Sequence, residues 1–369
     1  MKIISTSPKA RGFSTKGIGR SRGVAYSSRA GFTAAQVTGK NQPRVVILGK
    51  GRSILTWFED LRSGFDQVGA EVRAVSIQAE TGEERWLQKR EGLRELDNPR
   101  VIERIRTELE AFAPDLIVVQ NKAGLPAAAF ERWVGVVKNA KWVGWLCDNL
   151  NAPPKNLVAC FHRVYYFDSG CVTALESFYD HGGHSFDYLP LAVNPERYPL
   201  VSKGERKQSI VFAGKCSPHR RAFFDQIREK GLPLEVYGPG CGDWLRPWRG
   251  RRLSSGSLAK LYAGHIASLN LLQPGNTERG MNLRAFEAPC CGGVGLYPAV
   301  EDLPRCFEAG KEILVYENVD ALAGIVDELV GNPERVNAVA EAGRARVLAE
   351  HTFKHRAQRM LADLAKGGG

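Results

Sequence analysis

Short apolar runs of strand length recur along this chain, each ending in a polar residue or a glycine turn and followed by a segment of helical periodicity. Such alternation specifies parallel sheets covered by helices. Parallel strands need a crossover between them, and burial on both faces makes them read as unbroken apolar stretches. The first run is 44–48 in RVVILGKGRS. A tight turn at Gly49-Lys50-Gly51 follows, then a helix through Trp57, Phe58, Leu61, Phe65 and Val68 that Gly69 closes, and the strand EVRAVSIQ. Residues 83–112 are charged and helical in pattern. APDLIVVQN, KWVGWLCDN and RVYYFDS are three further runs, joined by helices such as 125–139 and 171–181. Ligands of open α/β sheets gather beyond the carboxyl ends of strands, which singles out Gln120, Asn121, Asp148, Asn149, Asp168 and Ser169.

The stretch LPLAVNPERYPLVSKGERK at 189–207 is broken by prolines and charge and reads as a linker. A second α/β series starts at SIVFAGK. It continues through a helix at 218–230, the strand LEVYG, the loop PGCGDWLRPWRGRR, a helix at 256–263, the strand HIASLNLLQ, and the short strands VGLYP and EILVYE. It ends in helix over about 320–366. No repeat of 20–50 residues accompanies this. Two α/β halves in tandem predict two doubly wound, Rossmann-like domains facing each other across a cleft. The expected boundaries are a basic tail at 1–43, an N-terminal domain at 44–190, a linker at 191–207, a C-terminal domain at 208–345, and a C-terminal helix at 346–369 directed back toward the N-terminal domain.

The net charge of +11 suggests a nucleic-acid partner until its distribution is considered. Residues 1–44 hold nine basic residues and no Asp or Glu, so removing those nine from +11 leaves +2 on the remainder. The tail, rich in Ser, Gly, Arg and Ala, is expected to be disordered, as a flexible arm, a transit peptide or the product of a misplaced start. A nucleic-acid partner is not expected. With no apolar run near 18 residues, no transmembrane segment is expected either. The eight cysteines form no C-x-x-C pair and no zinc spacing. Scattered free thiols suit a reducing, cytoplasmic location.

The turn GKGRSI lacks the third glycine of a dinucleotide fingerprint, since Ile54 stands there, and the second strand ends at Ser76 to Gln78 without an acid. It reads as a plain turn. In FAGKCSPHRR, Gly214 follows a strand while Lys215, Arg220 and Arg221 cluster at the start of the next helix, a pattern suited either to an anion or to a solvated basic surface. In RGMNLRAFEAPCCGG, Asn282 is placed to cap a helix over 283–291 that Gly292-Gly293 ends. Arg284 lies in the first turn, where a cation opposes the helix dipole unless an anion is present. Glu287 is one turn on. A diphosphate held by the amides and Arg284 would bring a ribose diol to the Glu287 carboxylate; the plainer reading is a surface Arg284–Glu287 ion pair.

From about 208 to 366 the chain resembles the C-terminal half of group-1 glycosyltransferases of the GT-B fold, and most of all their CgeB-like (spore maturation protein-like) branch. The resemblance is carried by SIVFAGKCSPHR, LEVYG, NLRAFEAPCCGG, DLPRCFEAGKEILVYEN and AGRARVLAEHTFKHR, with WLCDN and YLPLAVNPERY upstream. It implies two Rossmann-like domains with a nucleotide-diphosphate sugar (UDP-, GDP- or ADP-linked) in the cleft as co-substrate, no tightly bound cofactor, and a glycan, lipid or protein acceptor. It implies ribose binding by Glu287, and a diphosphate region at Gly214, Lys215 and Arg220 or Arg221. Asn282 and Arg284 match the branch's polar pair. Many group-1 enzymes carry an earlier glutamate with seven residues between it and the second one; Arg279 stands there, beside Glu278.

The implied reaction is glycosyl transfer in which Lys215, Arg220, Arg221 and Arg284 supply the positive field without a metal ion. Retention needs no strong protein base. For inversion, Asp148, Asp168 and His162 are the candidate catalytic residues. The rival readings are an inactive relative that binds nucleotide or a partner, and a non-transferring enzyme such as a sugar-nucleotide epimerase.

Overall fold

The computed structural model describes residues 42–51, 57–152, 154–179, 184–201, 204–240 and 253–366. The expected basic tail, Ile54 and most of the loop after LEVYG lie outside the described residues. All described residues belong to one compact unit.

The N-terminal lobe is built on a six-stranded parallel sheet, β1 (Arg44–Gly49), β2 (Glu71–Ser76), β3 (Leu116–Gln120), β4 (Lys141–Leu146), β5 (Arg163–Tyr166) and β6 (Ser185–Tyr188), in the order β2-β1-β3-β4-β5-β6. Its helices are α1 (Trp57–Asp66), α2 (Gly82–Arg90), α3 (Pro99–Phe112), α4 (Ala127–Val134) and α5 (Val172–Tyr179). The central strands are β-rich in sequence and buried on both faces: every residue of β3, LIVVQ, is buried. The α1 helix buries Phe58, Leu61 and Phe65, one stripe at helical spacing.

The expected helical stretch 83–112 is two helices. Thr81 and Glu84 form a reciprocal capping box at the start of α2. Gly92, at φ +61°, breaks the chain after it, and Asn98-Pro99 restarts it, with the Asn98 side chain accepting from Arg100 N–H at 3.1 Å.

The C-terminal lobe carries a five-stranded parallel sheet, β7 (Lys207–Ala213), β8 (Leu234–Tyr237), β9 (His265–Leu269), β10 (Gly295–Pro298) and β11 (Leu314–Tyr316), in the order β11-β10-β9-β7-β8. Around it lie α6 (Pro218–Glu229), α7 (Ser255–Ala263), α8 (Arg284–Cys290), α9 (Val319–Leu329), α10 (Pro333–Glu350) and α11 (Phe353–Lys366). Strand order reverses between β7 and β9, so the carboxyl ends of those two strands border the crevice where α/β sheets bind ligands.

Several contacts tie the lobes. The α11 helix packs on α1 so closely that a side chain on Gly64 would meet Phe353 O at 2.5 Å. Phe353 lies edge-on to Trp145 at 6.1 Å, and Tyr165 donates to Asp363 at 3.0 Å. Arg356, 4% exposed, donates to the carbonyls of Pro190, Leu191 and Glu350. Asp60 of α1 accepts from Asn194 at 3.0 Å and from Arg197, anchoring the crossover between lobes.

The expectation of free thiols throughout fails at Cys216, which is disulfide-bonded. It is buried where the loops after β7 and β8 run together, its N–H donating to Pro239 O at 3.0 Å. Cys147, Cys160, Cys171, Cys290, Cys291 and Cys306 are free. Among the described residues no helix is long and apolar enough to cross a membrane.

Candidate functional site

The β7–α6 loop, Gly214 to Ser217, and the segment from Asn282 through α8 meet at the sheet's reversal point. Arg284 does not pair with Glu287; no ion pair joins them within 4.0 Å. Its Nε instead donates to Ala213 O at the end of β7, at 2.8 Å, and its guanidinium lies 5.7 Å from the Phe212 ring centroid. Gly214 leaves room for this approach: a Cβ there would stand 2.5 Å from Arg284 Nη2, and the guanidinium would have to move aside.

Arg220 is buried at 5% exposure, although its position near the start of α6 reads as a surface cation. Its Nη1 donates to Lys215 O at 2.8 Å and its Nη2 to Leu271 O at 2.7 Å, so it spans the loops after β7 and β9. It lies 5.3 Å from the same Phe212 ring. Burial, and then the neighbouring charge of Arg284, pull its pKa down to about 10. Neither arginine forms an ion pair with a carboxylate among the described residues. Two buried donor or acceptor atoms beside them, Arg220 Nε and Ser217 Oγ, make no hydrogen bond. Adjacent like charges and unpaired polar atoms at the start of a twelve-residue helix are arranged for an anion. Lys215 and Arg221 are exposed on either side.

Glu287 is buried, and burial raises its pKa against the lowering effects of Tyr198 and Arg284. Tyr198 OH donates to Oε1 at 2.8 Å; Oε2 has no hydrogen-bond partner among the described residues. The helix expected over 283–291 with Asn282 as its cap starts instead at Arg284, after Leu283 in the cap position; Asn282 lies one residue earlier, and its Oδ1 accepts from Arg284 N–H at 3.1 Å. Its carboxamide also pairs reciprocally with buried Asn270, at 2.7 and 2.9 Å. Asn282 thereby fixes the entry of α8 above the end of β9.

The three residues named as bases are separated. Asp168 is fully buried and accepts from Gly170 N–H at 2.8 Å, Glu278 N–H at 2.6 Å and Arg279 N–H at 3.1 Å. Asp302 answers from the other lobe by accepting from Ser169 N–H at 2.8 Å. This reciprocal staple joins the end of β5 to the loop before α8. Asp148, half-buried, accepts from Asn121 at 2.8 Å and Asn276 at 3.3 Å. His162 precedes β5, at the amino end of the sheet, and its Nδ1 accepts from Trp142 N–H at 3.1 Å. The structure therefore brings Asp148 and Asp168 to the interlobe side and leaves His162 at the opposite edge. Burial lowers the His162 pKa, with Lys141 adding to the effect. Glu278, beside Arg279, accepts from Asn149 at 3.2 Å, and Arg279 pairs with Glu301.

Tyr198, Ser217 and Tyr262 were not among the candidates. Tyr198 ends the quoted stretch YLPLAVNPERY, which was its one available signal. Tyr262, buried beside Glu287 and Arg284, has none.

Residues 219–362 match the family model described as glycosyl transferase-like. None of the curated proteins matches the chain in sequence. In structure, a glycosyltransferase from Rickettsia africae ESF-5 is similar with a TM-score of 0.61 at 11% identity, over 89% of this chain and 100% of that one. Anabaena HepE in complex with UDP and glucose is similar with a TM-score of 0.59 at 10% identity, over 88% and 100%. The lipopolysaccharide outer core galactosyltransferase WaaB in its apo form gives 0.58 at 10% identity, over 88% and 99%. The fold is GT-B. In this GT-B chain the matched segment begins at the start of α6 and includes Arg220, Arg284 and Glu287.

Proposed function

We propose that this protein transfers a glycosyl group from a nucleotide-diphosphate sugar to an acceptor hydroxyl. The observation that carries the reading is the pair Arg220 and Arg284, neighbouring guanidiniums set with Ser217 Oγ at the crevice of the C-terminal sheet, the arginines without a carboxylate partner and the hydroxyl without a hydrogen bond among the described residues. A diphosphate leaving group gathers negative charge as the bond from the anomeric carbon to oxygen breaks. Cations already fixed by Ala213, Lys215 and Leu271 carbonyls stabilise that charge without reorganising.

Glu287 takes the ribose. Tyr198 occupies Oε1, which leaves Oε2 to accept from a hydroxyl of the diol. The HepE complexes with UDP and with UDP-glucose support a uridine nucleotide as the first donor to try. The polar pair Asn282 and Arg284 supports placement in the CgeB-like branch.

The reaction is proposed to retain configuration. Both Asp168 oxygens are engaged by backbone amides, and His162 is at the far edge of its sheet. In the retaining route the new bond forms from acceptor oxygen to anomeric carbon on the face that the diphosphate leaves. The departing phosphate oxygen receives the acceptor proton, so no protein base is needed. Asp148 is the residue to examine if the product is inverted.

The test is donor turnover. UDP-, GDP- and ADP-sugars are incubated with the protein and release of free nucleotide is followed, with and without an acceptor mixture. The proposal expects one nucleotide class to be released and Arg284→Gln to slow release by about 100-fold, the scale of losing a charge-stabilising donor. Epimerised sugar-nucleotide in place of free nucleotide, or no turnover of any donor, would sink it.

A further inference from the structure

We propose that the N-terminal lobe holds a second anion site, in an open surface depression of about 520 Å³ beyond the carboxyl end of β2, and that it takes the phosphate or carboxylate of a polyol acceptor. The depression is lined by Arg85, Gln88 and Lys89 from one face of α2 together with Gln78, over an apolar floor of Ala79 and Leu93. Ligand crevices of α/β sheets lie at this end of the strands.

Charge pairing around α2 leaves the depression cationic. Every acid from Glu80 to Glu91 pairs with an arginine: Glu83 with Arg100, Glu84 with Arg104 at 2.8 Å, Glu80 with Arg104 at 3.4 Å, and Glu91 with the neighbouring Arg90 at 2.5 Å. Among the described residues Arg85 and Lys89 form no ion pair. The Arg85 guanidinium is anchored instead through Nη1 to Glu80 O at 2.5 Å, which fixes its direction without neutralising it. Four arginine–glutamate pairs close beside two unpaired cations is a segregation that solvent screening alone does not require.

The second feature is a missing donor. Gln88 Oε1 is buried and makes no hydrogen bond among the described residues. A ligand that offers a hydroxyl next to an oxyanion would meet Arg85 and Lys89 with the second and, once the Gln88 carboxamide turns toward the depression, satisfy Gln88 with the first. Sugar phosphates and sugar acids both have that combination. Their use as acceptor rests on the glycosyl-transfer reading; the anion site does not.

Glucose 6-phosphate, glucuronate and glucose are titrated calorimetrically into the full chain, with its preferred nucleoside diphosphate at saturation, and into R85Q/K89Q. Without a nucleotide that binds, the same titrations are run on the bare protein. Arg85 and Lys89 are exposed, so the variant should keep the wild-type melting temperature and the wild-type nucleotide affinity. The expected result is binding of at least one anionic sugar, little binding of glucose, and a loss of about ten-fold or more in the variant, steeper at low salt. Which anionic sugar binds separates phosphate from carboxylate. The proposal is overturned if wild type and R85Q/K89Q bind the anionic sugars equally, if glucose binds as well as they do, or if none binds at tens of millimolar. Loss of nucleotide binding alone, with the anionic sugar still bound through Arg85 and Lys89, counts against the donor site and not against this one.

Discussion

The phenol of Tyr198 donates to the Glu287 carboxylate at 2.8 Å, and that bond connects the crossover between the lobes to the helix that carries the candidate donor site. Both groups are buried, and the Tyr198 pKa is raised by burial and then by the Glu287 charge, so the phenol stays a proton donor through the neutral range. Tyr198→Phe leaves a buried carboxylate without its partner. It is expected to destabilise the fold by about 1–3 kcal/mol, read as a shift of the urea midpoint at unchanged slope.

Glu287 also sets a pH dependence. Its folded pKa is raised above the ordinary carboxyl value of 4.5, so between the two values the folded state holds a proton that the unfolded chain has lost. Stability from this group is therefore fully present below about pH 4.5 and is lost as pH rises through the folded value. Glu287→Gln removes the penalty while its carbonyl can still accept from Tyr198. At neutral pH the variant is expected to melt higher than the wild type, with the gap closing toward pH 4; nucleotide affinity should fall at the same time. Denaturant unfolding of both proteins from pH 4 to 8 measures this.

Asp168 holds three backbone amides, two of them from the other lobe. Asp168→Ala strands all three and is expected to cost about 3 kcal/mol, with Asp168→Asn costing less because one acceptor remains. Limited proteolysis near Glu278 should accelerate in the Ala variant before global unfolding does.

Arg356 performs the same task at the return of the chain, where its guanidinium serves the Pro190, Leu191 and Glu350 carbonyls. Arg356→Met should destabilise by about 3 kcal/mol or more. Amide exchange should quicken first at Val193 and Phe353, whose N–H groups bond to His351 O and Val193 O across the join.

Strands such as RVVILG and LIVVQ were legible in the sequence because continuous burial leaves an unmistakable apolar run. SFDY, forming β6, was not: it is an edge strand of four half-buried residues with no apolar run. The single helical stretch at 83–112 hid a break because Gly92 and Pro99 interrupt charged residues whose periodicity continues on both sides. At the candidate site, sequence spacing put Arg284 and Glu287 one turn apart and could not tell that one reaches β7 and the other the crossover. Arg220 carried the opposite ambiguity. Its burial comes from Phe212 and from the carbonyl of Leu271, 51 residues away, which no local pattern encodes. The staple between Asp168 and the loop at Glu278 is likewise a long-range contact that a position at a strand end does not encode.

Arg220, Arg284 and Glu287 are proposed to form one nucleotide-diphosphate site, and the decisive experiment is calorimetric titration of UDP, GDP and ADP into the wild type and Arg284→Gln. One nucleotide is expected to bind the wild type and to lose about ten-fold or more in affinity in the variant, about 1.4 kcal/mol. Binding of none of the three at millimolar concentration, or equal binding by both proteins, would contradict it.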